Sequence, residues 1–447
     1  MPREEGADVT DVRSVAYSAI LLDAEGRGSG SLSKDVLARY SYLDRQDKSF
    51  LKRLIEGVIE RKITLDHVLD HYSSVPTSKM KKPVLALCRM GAYQLLFMDN
   101  VAEYAAVNET VAIAKKTKVR GLSGFINGVL RSIAKNRDGI PYPKREDGAV
   151  KYMSVAYSCP EWIVAKLCGE LGEDKAETLL CLSVSARDIT ARVNLSKTTP
   201  DEVKKRCDCR ICDILPYAIT LNDPDNIADI EAFSDGSICI QDISSMLVCH
   251  VAGIREGDTI LDLCAAPGGK SLHAADIATS GRVIACDVSE KKTAKITENA
   301  NRCGFSNIEI VKSDATVYNA AFDGIADVVL ADVPCSGLGV MGRKNDIKYN
   351  LTPESIGELA SLSRKILENA ARYVKSGGTL MFSTCTCSKA ENEENMDFLI
   401  KECGLLPVDF YDELPEIQKD ESAKKGFLQL YGKDASTDGF FIAKLRK

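Results

Sequence analysis

Apolar residues recur at helical spacing through the first third of the chain. Between residues 47 and 62 they form an i, i+4, i+8 stripe, and residues 84–98 are apolar on almost every face, as in a central buried helix. Similar stripes continue to residue 137, and none of these segments alternates as a strand would. The pattern predicts an all-α domain over residues 1–140.

The pattern changes twice after this domain. Residues 141–154 carry proline, glycine and charge without periodicity, which predicts a linker. Residues 155–235 mix helical and strand patterns and predict a small α/β extension. From residue 236 to 447 short apolar runs alternate with helical segments, which predicts crossover connections and a mostly parallel sheet.

Composition indicates a function only when the charge of separate parts of the chain is compared. Apolar residues make up 45% and charged residues 27%, an ordinary globular balance. The net charge of −6 argues against a nucleic-acid partner, but residues 1–140 hold 22 basic and 17 acidic side chains, and residues 76–137 hold 11 and 3. The clusters Lys81-Lys82 and Lys115–Arg120 therefore either contact RNA or are only solvated faces.

Localisation and cysteine state are predicted together. The N-terminus MPREEG is charged from its third residue and lacks an apolar signal region, and no apolar run reaches the 18 residues of a spanning helix. We expect a cytoplasmic protein without a membrane partner, whose sixteen cysteines are reduced thiols. With four histidines in all, and no second cluster near the cysteines of CDCRIC (207–212), no metal site is predicted.

A small, glycine-rich turn follows the strand TILDLC and opens a helix at AAPGGKSLHAA (265–275). Such a turn lets a ligand approach the backbone, and it matches neither a Walker A loop nor G-x-G-x-x-G. The next three strands end in Asp287, Asp314 and Asp332. Although a tight turn and helix caps are the alternative, four strand ends together predict an adenosine-containing ligand at one sheet edge.

Two different strands end in cysteine motifs: the strand of Asp332 continues into Cys335 (DVPC), and another ends in Cys385 (STCTC). Cysteines are often buried filler, yet two at the ligand edge favour a catalytic pair. Methylation of a pyrimidine at C5 needs two such groups. One thiolate adds to C6 and makes C5 nucleophilic, and a second group assists loss of the C5 proton and release of the thiolate.

These motifs resemble the Sun/Fmu (RsmB-type) group of RNA cytosine-5 methyltransferases, specifically bacterial enzymes for cytosine 967 of 16S rRNA. The anchor is DLCAAPGGKSLHAA, with DVPCSG (332–337), STCT and the E-N-E motif at 391–393. AVNETVAIAKK and GFINGVLR resemble NusB-type helices, whose family binds RNA. The resemblance implies a Rossmann-like class I methyltransferase with a seven-stranded, mostly parallel sheet, preceded by an all-α NusB-like domain and a small α/β segment.

The resemblance also implies roles for individual residues. Asp287 would hold the ribose of S-adenosylmethionine, Asp314 would lie near its adenine, and Asp332 would contact the methionine end or the target base. Cys385 would be the nucleophile and Cys335 would serve product release. Cys387 stands where the family has an aliphatic residue, which leaves open whether Cys385 or Cys387 attacks, although the preceding Ser-Thr favours Cys385. The cofactor turn would comprise Cys264, Ala265, Ala266, Pro267, Gly268, Gly269 and Lys270.

The sequence thus predicts a monomeric methyltransferase that transfers a methyl group from S-adenosylmethionine to C5 of a cytosine in 16S rRNA or a small-subunit precursor. One alternative is the same chemistry on a tRNA or another rRNA cytosine. The other is a non-catalytic RNA-binding assembly factor, which would have no use for the paired cysteines and the glycine turn.

Overall fold

The computed structural model describes residues 11–27, 32–222, 226–432 and 437–447. The N-terminal residues on which the absence of a secretory signal was predicted lie outside these ranges. The chain forms two compact units. The first comprises Met1–Gly169 with Lys344–Tyr349, and the second comprises Glu170–Arg343 with Asn350–Lys447.

The first unit is built from helices, and its described residues contain no strand. Its central helix α5 is buried on most sides, which explains why residues 84–98 lack a polar face. The predicted all-α domain is therefore confirmed. The helices are α1 (Val12–Ala24), α2 (Leu32–Arg39), α3 (Arg45–Glu60), α4 (Lys62–Tyr72), α5 (Lys82–Phe97), α6 (Glu103–Lys116), α7 (Ser123–Lys135), α8 (Ala149–Ala156) and α9 (Glu161–Leu171).

Helix α8 occupies part of the stretch predicted as a linker, residues 141–154. It has only eight residues and starts after Gly148, whose φ is 123°. Two helical turns are too short to show a periodic stripe, so the proline- and glycine-rich residues before them dominate the pattern. The segment Lys344–Tyr349 packs within the same unit, where the Tyr349 hydroxyl donates to the Glu60 carbonyl at 2.8 Å.

The second unit contains two sheets and their covering helices. Its helices are α10 (Glu173–Leu182), α11 (Pro200–Arg206), α12 (Glu231–Ser234), α13 (Ile243–His250), α14 (Gly269–Ile277), α15 (Glu290–Cys303), α16 (Ile347–Asn350, mostly in the first unit), α17 (Pro353–Tyr373) and α18 (Glu393–Lys401). Its strands are β1 (Ile189–Val193), β2 (Cys209–Ile211), β3 (Ala218–Leu221), β4 (Ile238–Ile240), β5 (Thr259–Asp262), β6 (Arg282–Asp287), β7 (Ile308–Lys312), β8 (Ala326–Asp332), β9 (Val374–Thr384), β10 (Leu406–Pro407), β11 (Phe427–Tyr431) and β12 (Gly439–Arg446).

The smaller sheet has the order β2-β3-β1-β4 and is antiparallel. Strand β4 belongs to it, although the sequence pattern groups this apolar run with the alternating strands that follow residue 236. A short apolar run has the same appearance in either sheet, so the pattern gives the strand but not its partner.

The larger sheet has the order β10-β12-β9-β8-β5-β6-β7, with β11 paired to β12. Strands β5 to β9 are parallel, and β12 runs antiparallel to β9. Successive residues of β5, Ile260 and Leu261, enter separate apolar cores on the two faces. The predicted Rossmann-like fold is confirmed, with eight strands instead of seven because the count includes the two-residue edge strand β10.

The chain order of the strands reverses beside β5, which lies between β6 and β8. Ligands of open parallel sheets bind at the carboxyl ends of the strands at such a point. None of the helices in the described ranges is long and apolar enough to cross a bilayer.

Candidate active site

The glycine-rich turn lies at the carboxyl end of β5 and leads into α14. Gly268 is the N-cap of α14 and adopts a φ of 111°, which disfavours any side chain. A Cβ on Gly269 would come within 3.7 Å of the Gln241 amide, whose nitrogen and oxygen have no hydrogen-bond partner among the described residues. The turn therefore brings backbone without a side chain next to a buried amide that has no partner among the described residues, at the switch point of the sheet.

Asp287 ends β6 and is 4% exposed. Its carboxylate accepts hydrogen bonds from the backbone N–H groups of Ala266, at 3.1 Å, and Val288, at 2.8 Å. The Lys292 ammonium lies 3.2 Å from it. The aspartate is thus fixed against the glycine turn, where a carboxylate suits ribose hydroxyls. The donor and acceptor set at this edge fits an adenosyl cofactor.

Asp314 is placed differently from the other predicted aspartates. It follows β7, is exposed, and accepts from the Thr316 N–H at 2.9 Å and the Thr316 hydroxyl at 2.7 Å. These bonds lower the pKa of Asp314 below its ordinary value. Its carboxylate closes a local turn, and the structure gives it no bond to Asp287 or Asp332.

Lys270 and Asp332 form an ion pair between the cofactor turn and the end of β8. The Lys270 ammonium lies 2.7 Å from one carboxylate oxygen of Asp332 and donates to Ser245 Oγ at 2.9 Å, and Ser383 Oγ donates to the other oxygen at 2.8 Å. Burial alone would lower the pKa of Lys270, but the charge of Asp332 raises it above its ordinary value. The pair places a fixed cation and anion between the glycine turn and the cysteine strands.

The two predicted catalytic cysteines are in contact, with 3.3 Å between Cys335 Sγ and Cys385 Sγ. Cys335 lies after β8 and Cys385 directly after β9, and these strands are parallel neighbours. The hydrogen bond to Cys385 and burial raise the pKa of Cys335 well above its ordinary value. The raised pKa favours the protonated form of Cys335, and either sulfur can be the donor in the hydrogen bond between them.

Cys387 lies outside this pair. Its side chain is 1% exposed, and the Gln429 amide donates to its sulfur at 3.3 Å. Burial raises the pKa of Cys387 far above its ordinary value. All sixteen cysteines, including those at 207, 209 and 212, are free thiols, and the described residues hold no group of three or more potential metal ligands.

Several contributors to this site carry no role in the sequence prediction. Gln241 and the E-N-E motif can be recognised in the sequence as similar to the family, but the sequence does not show what they contact. Glu391 accepts hydrogen bonds from residues that follow each cysteine, 55 and 5 positions away along the chain. The signal that could have found it is a buried carboxylate next to a strand-end cysteine motif.

Comparison with known proteins then decides the family. A model described as 16S rRNA methyltransferase RsmB/F matches residues 250–446, and a NusB family model matches residues 14–135. The probable ribosomal RNA small subunit methyltransferase B of Bacillus subtilis is 34% identical over 98% of this chain and 99% of that protein. The chain belongs to the ribosomal RNA small subunit methyltransferase B family.

Another member agrees with this assignment, and one solved structure agrees with the fold. The methyltransferase B of Sodalis glossinidius is 30% identical over 98% of both chains. The crystal structure of PH0851 has a TM-score of 0.78 and 24% identity, covers 98% of both chains, and supports the fold alone. The predicted family and its NusB-like helical domain are confirmed.

Proposed function

We propose that this methyltransferase B family member methylates C5 of a cytosine in 16S rRNA, at position 967, through a covalent bond between Cys385 and C6. The observation that carries the proposal is the contact between the two cysteine sulfurs at the carboxyl ends of β8 and β9. Two thiols at one sheet edge are what addition to C6 and subsequent release require.

Different residues would bind the cofactor and the target base. The turn Cys264–Lys270 and Asp287 would hold S-adenosylmethionine, which supplies an electrophilic methyl group when bound. The Lys270–Asp332 pair lies between that turn and β9, where Asp332 would meet the methionine end or the target base. The assignment of Asp314 to the adenine end rests on the resemblance to the family and not on a contact.

The bond changes follow from the positions of the cysteines. Cys385, as the thiolate, would form a bond to C6, and the electrons of the C5–C6 double bond would form the bond from C5 to the methyl carbon as the bond between that carbon and the sulfonium sulfur breaks. The C5 proton would then pass to water as the base, and the electrons of the C5–H bond would restore the double bond as the bond from C6 to sulfur breaks and Cys385 leaves as a thiolate. We assign Cys335 to this release because its sulfur is 3.3 Å from that of Cys385. The target base must leave its stack to be reached, at a cost of a few kcal/mol.

The direct test compares Cys385→Ala with Cys387→Ala, using methyl-labelled cofactor and 16S rRNA from a strain without the gene. We expect methyl transfer to disappear in the first variant and to persist in the second, because the sulfur in contact with Cys335 is that of Cys385, while Cys387 is buried against Gln429. Full activity of Cys385→Ala would contradict the mechanism.

Bisulfite sequencing of RNA from the deletion strain tests the target. Loss of one 5-methylcytosine at position 967 of 16S rRNA is expected. Loss at a tRNA cytosine or another rRNA cytosine would mean that the enzyme catalyses the same reaction on that cytosine instead. A purified protein that binds rRNA but gives no calorimetric signal with S-adenosylmethionine would instead support an assembly factor.

A further inference from the structure

Glu391 is a buried carboxylate in the loop between β9 and α18, and it lies beside both cysteine loops. Its side chain is 1% exposed. A carboxylate removed from water to this extent needs hydrogen-bond donors to offset the cost of desolvation. The identity of those donors indicates what the residue does.

The donors come from the residues that directly follow the two cysteines. Ser336, next to Cys335, donates to Glu391 through its backbone N–H at 2.7 Å and its hydroxyl at 2.5 Å. Thr386, next to Cys385, donates to the same carboxylate at 3.2 Å, and its hydroxyl is 2.8 Å from that of Ser336. One anion therefore joins the loop after β8 to the loop after β9.

The adjacent Asn392 does not make this bridge. Asn392 accepts from the Thr384 hydroxyl at 2.6 Å and donates to the Thr386 carbonyl at 3.0 Å. Both of these contacts lie on the Cys385 side, so Asn392 braces one loop. Glu391 bonds to residues of both loops. The separation of the two loops sets the distance between the two sulfurs.

We infer that Glu391 is a positioning residue that locks the two cysteine loops together and decides which of the two sulfurs reacts first. It acts through Ser336 and Thr386, the residues that directly follow the two cysteines. This role rests on the proposed function, because only a reaction with one nucleophile and one partner for release needs the two sulfurs to differ.

The electrostatics agree with the geometry. The pKa of Cys335 is raised by its bond to Cys385, by burial, by the Cys385 charge and then by the charge of Glu391. A fixed anion therefore disfavours ionisation of Cys335. Glu391 makes its two shorter bonds, at 2.7 and 2.5 Å, on the Cys335 side, so its charge opposes ionisation of Cys335 and favours Cys385 as the reactive sulfur.

The test is the ratio of Cys335 to Cys385 alkylation by iodoacetamide under single-hit conditions, read by peptide mass spectrometry on the full-length protein. Wild-type protein should be modified mainly at Cys385. Glu391→Gln keeps the side-chain shape and removes the charge, and we expect the ratio to rise about tenfold, because the charge of Glu391 then no longer disfavours ionisation of Cys335. The matched control is Glu393→Gln, which removes a charge two residues away that acts on Cys387, and it should leave the ratio unchanged.

An unchanged ratio in Glu391→Gln, or the same rise in Glu393→Gln, would overturn the inference. If Glu391→Gln is less thermally stable than wild type, Ser336→Ala is the second variant, because it removes one hydroxyl donor to Glu391. An alkylation ratio equal to wild type in Ser336→Ala would also overturn the inference. Because alkylation needs neither RNA nor cofactor, absence of cytosine methylation with the expected ratios would reject the proposed function and leave this inference standing.

Discussion

At the scale of single residues, the sequence identifies the groups but not their hydrogen bonds. Cys335, Cys385 and Asp332 can be predicted because each follows a recognisable strand and has the residue type that the chemistry needs. Ser245 and Ser383 cannot, because they meet Lys270 and Asp332 across 25 and 51 positions and serine is common at such places. The sequence favours Cys385 over Cys387 as the nucleophile through the preceding Ser-Thr but leaves both open, and the burial of Cys387 supports the same choice.

Asp262, at the end of β5, gives a prediction about pH. It is buried, and although the Ser271 hydroxyl donates to one of its oxygens at 2.6 Å, burial raises the pKa of Asp262 to about 6. The folded state then binds more protons than the unfolded state between the ordinary pKa and about 6. We expect stability to fall as pH rises through this window.

Asp262→Asn should flatten this part of the curve of unfolding free energy against pH, measured by urea denaturation. Asp258→Asn serves as the control, since Asp258 is only partly buried and lies just before the other end of the same strand. Identical slopes in wild type and Asp262→Asn would contradict the assignment.

At the scale of elements, most helices and strands are predictable from periodicity, while their pairing is not. The parallel strands β5 to β9 stand out because each apolar run ends in a glycine turn, an aspartate or a cysteine. The sequence pattern assigns strand β4 to the wrong sheet and misses helix α8, because three strand residues and two helical turns are too short to show a period. The close approach of distant loops is likewise absent from the sequence pattern.

Gly339, in the loop after Cys335, shows such an approach. Its N–H donates to the Cys385 carbonyl at 3.0 Å, and an added Cβ would lie 1.8 Å from the Gly439 carbonyl oxygen. Backbone cannot move aside as a flexible side chain can, so Gly339→Ala should cost about 1–3 kcal/mol of stability and lower the methylation rate.

Gly357→Ala is the matched control, because Gly357 lies in helix α17 with nothing within 4 Å of an added Cβ. It should raise stability by about 0.5–1 kcal/mol at unchanged activity. Thermal unfolding and the methyl-transfer assay measure both effects, and equal behaviour of the two variants would show that the close approach at Gly339 has no consequence.

At the scale of the whole molecule, the overall charge of −6 hides a division along the chain. Basic side chains of the NusB-like helices, including Lys115 and Lys116, are exposed. RNA affinity that rests on such side chains falls with salt, because each phosphate contact releases counterions. The proposed rRNA substrate therefore predicts that binding depends on this part of the chain.

The variant Lys115→Gln/Lys116→Gln should bind rRNA more weakly, and the slope of log affinity against log salt should fall by about 1 for each phosphate that a lysine no longer neutralises. Lys424→Gln/Lys425→Gln removes two similarly exposed charges near the C-terminus and should retain the wild-type slope. Fluorescence anisotropy over a salt series measures both. Unchanged binding by the first variant would mean that these lysines are only a solvated face.

The central claim is the covalent step at Cys385, and the most direct measurement is trapping of its product. Cys335→Ala, incubated with S-adenosylmethionine and unmethylated 16S rRNA, should accumulate a denaturation-resistant protein–RNA adduct, because methylation proceeds and release fails. Peptide mapping should place the nucleotide on Cys385, and Cys335→Ala/Cys385→Ala should give no adduct. An adduct on Cys387, or active methyl transfer by the double variant, would contradict the mechanism.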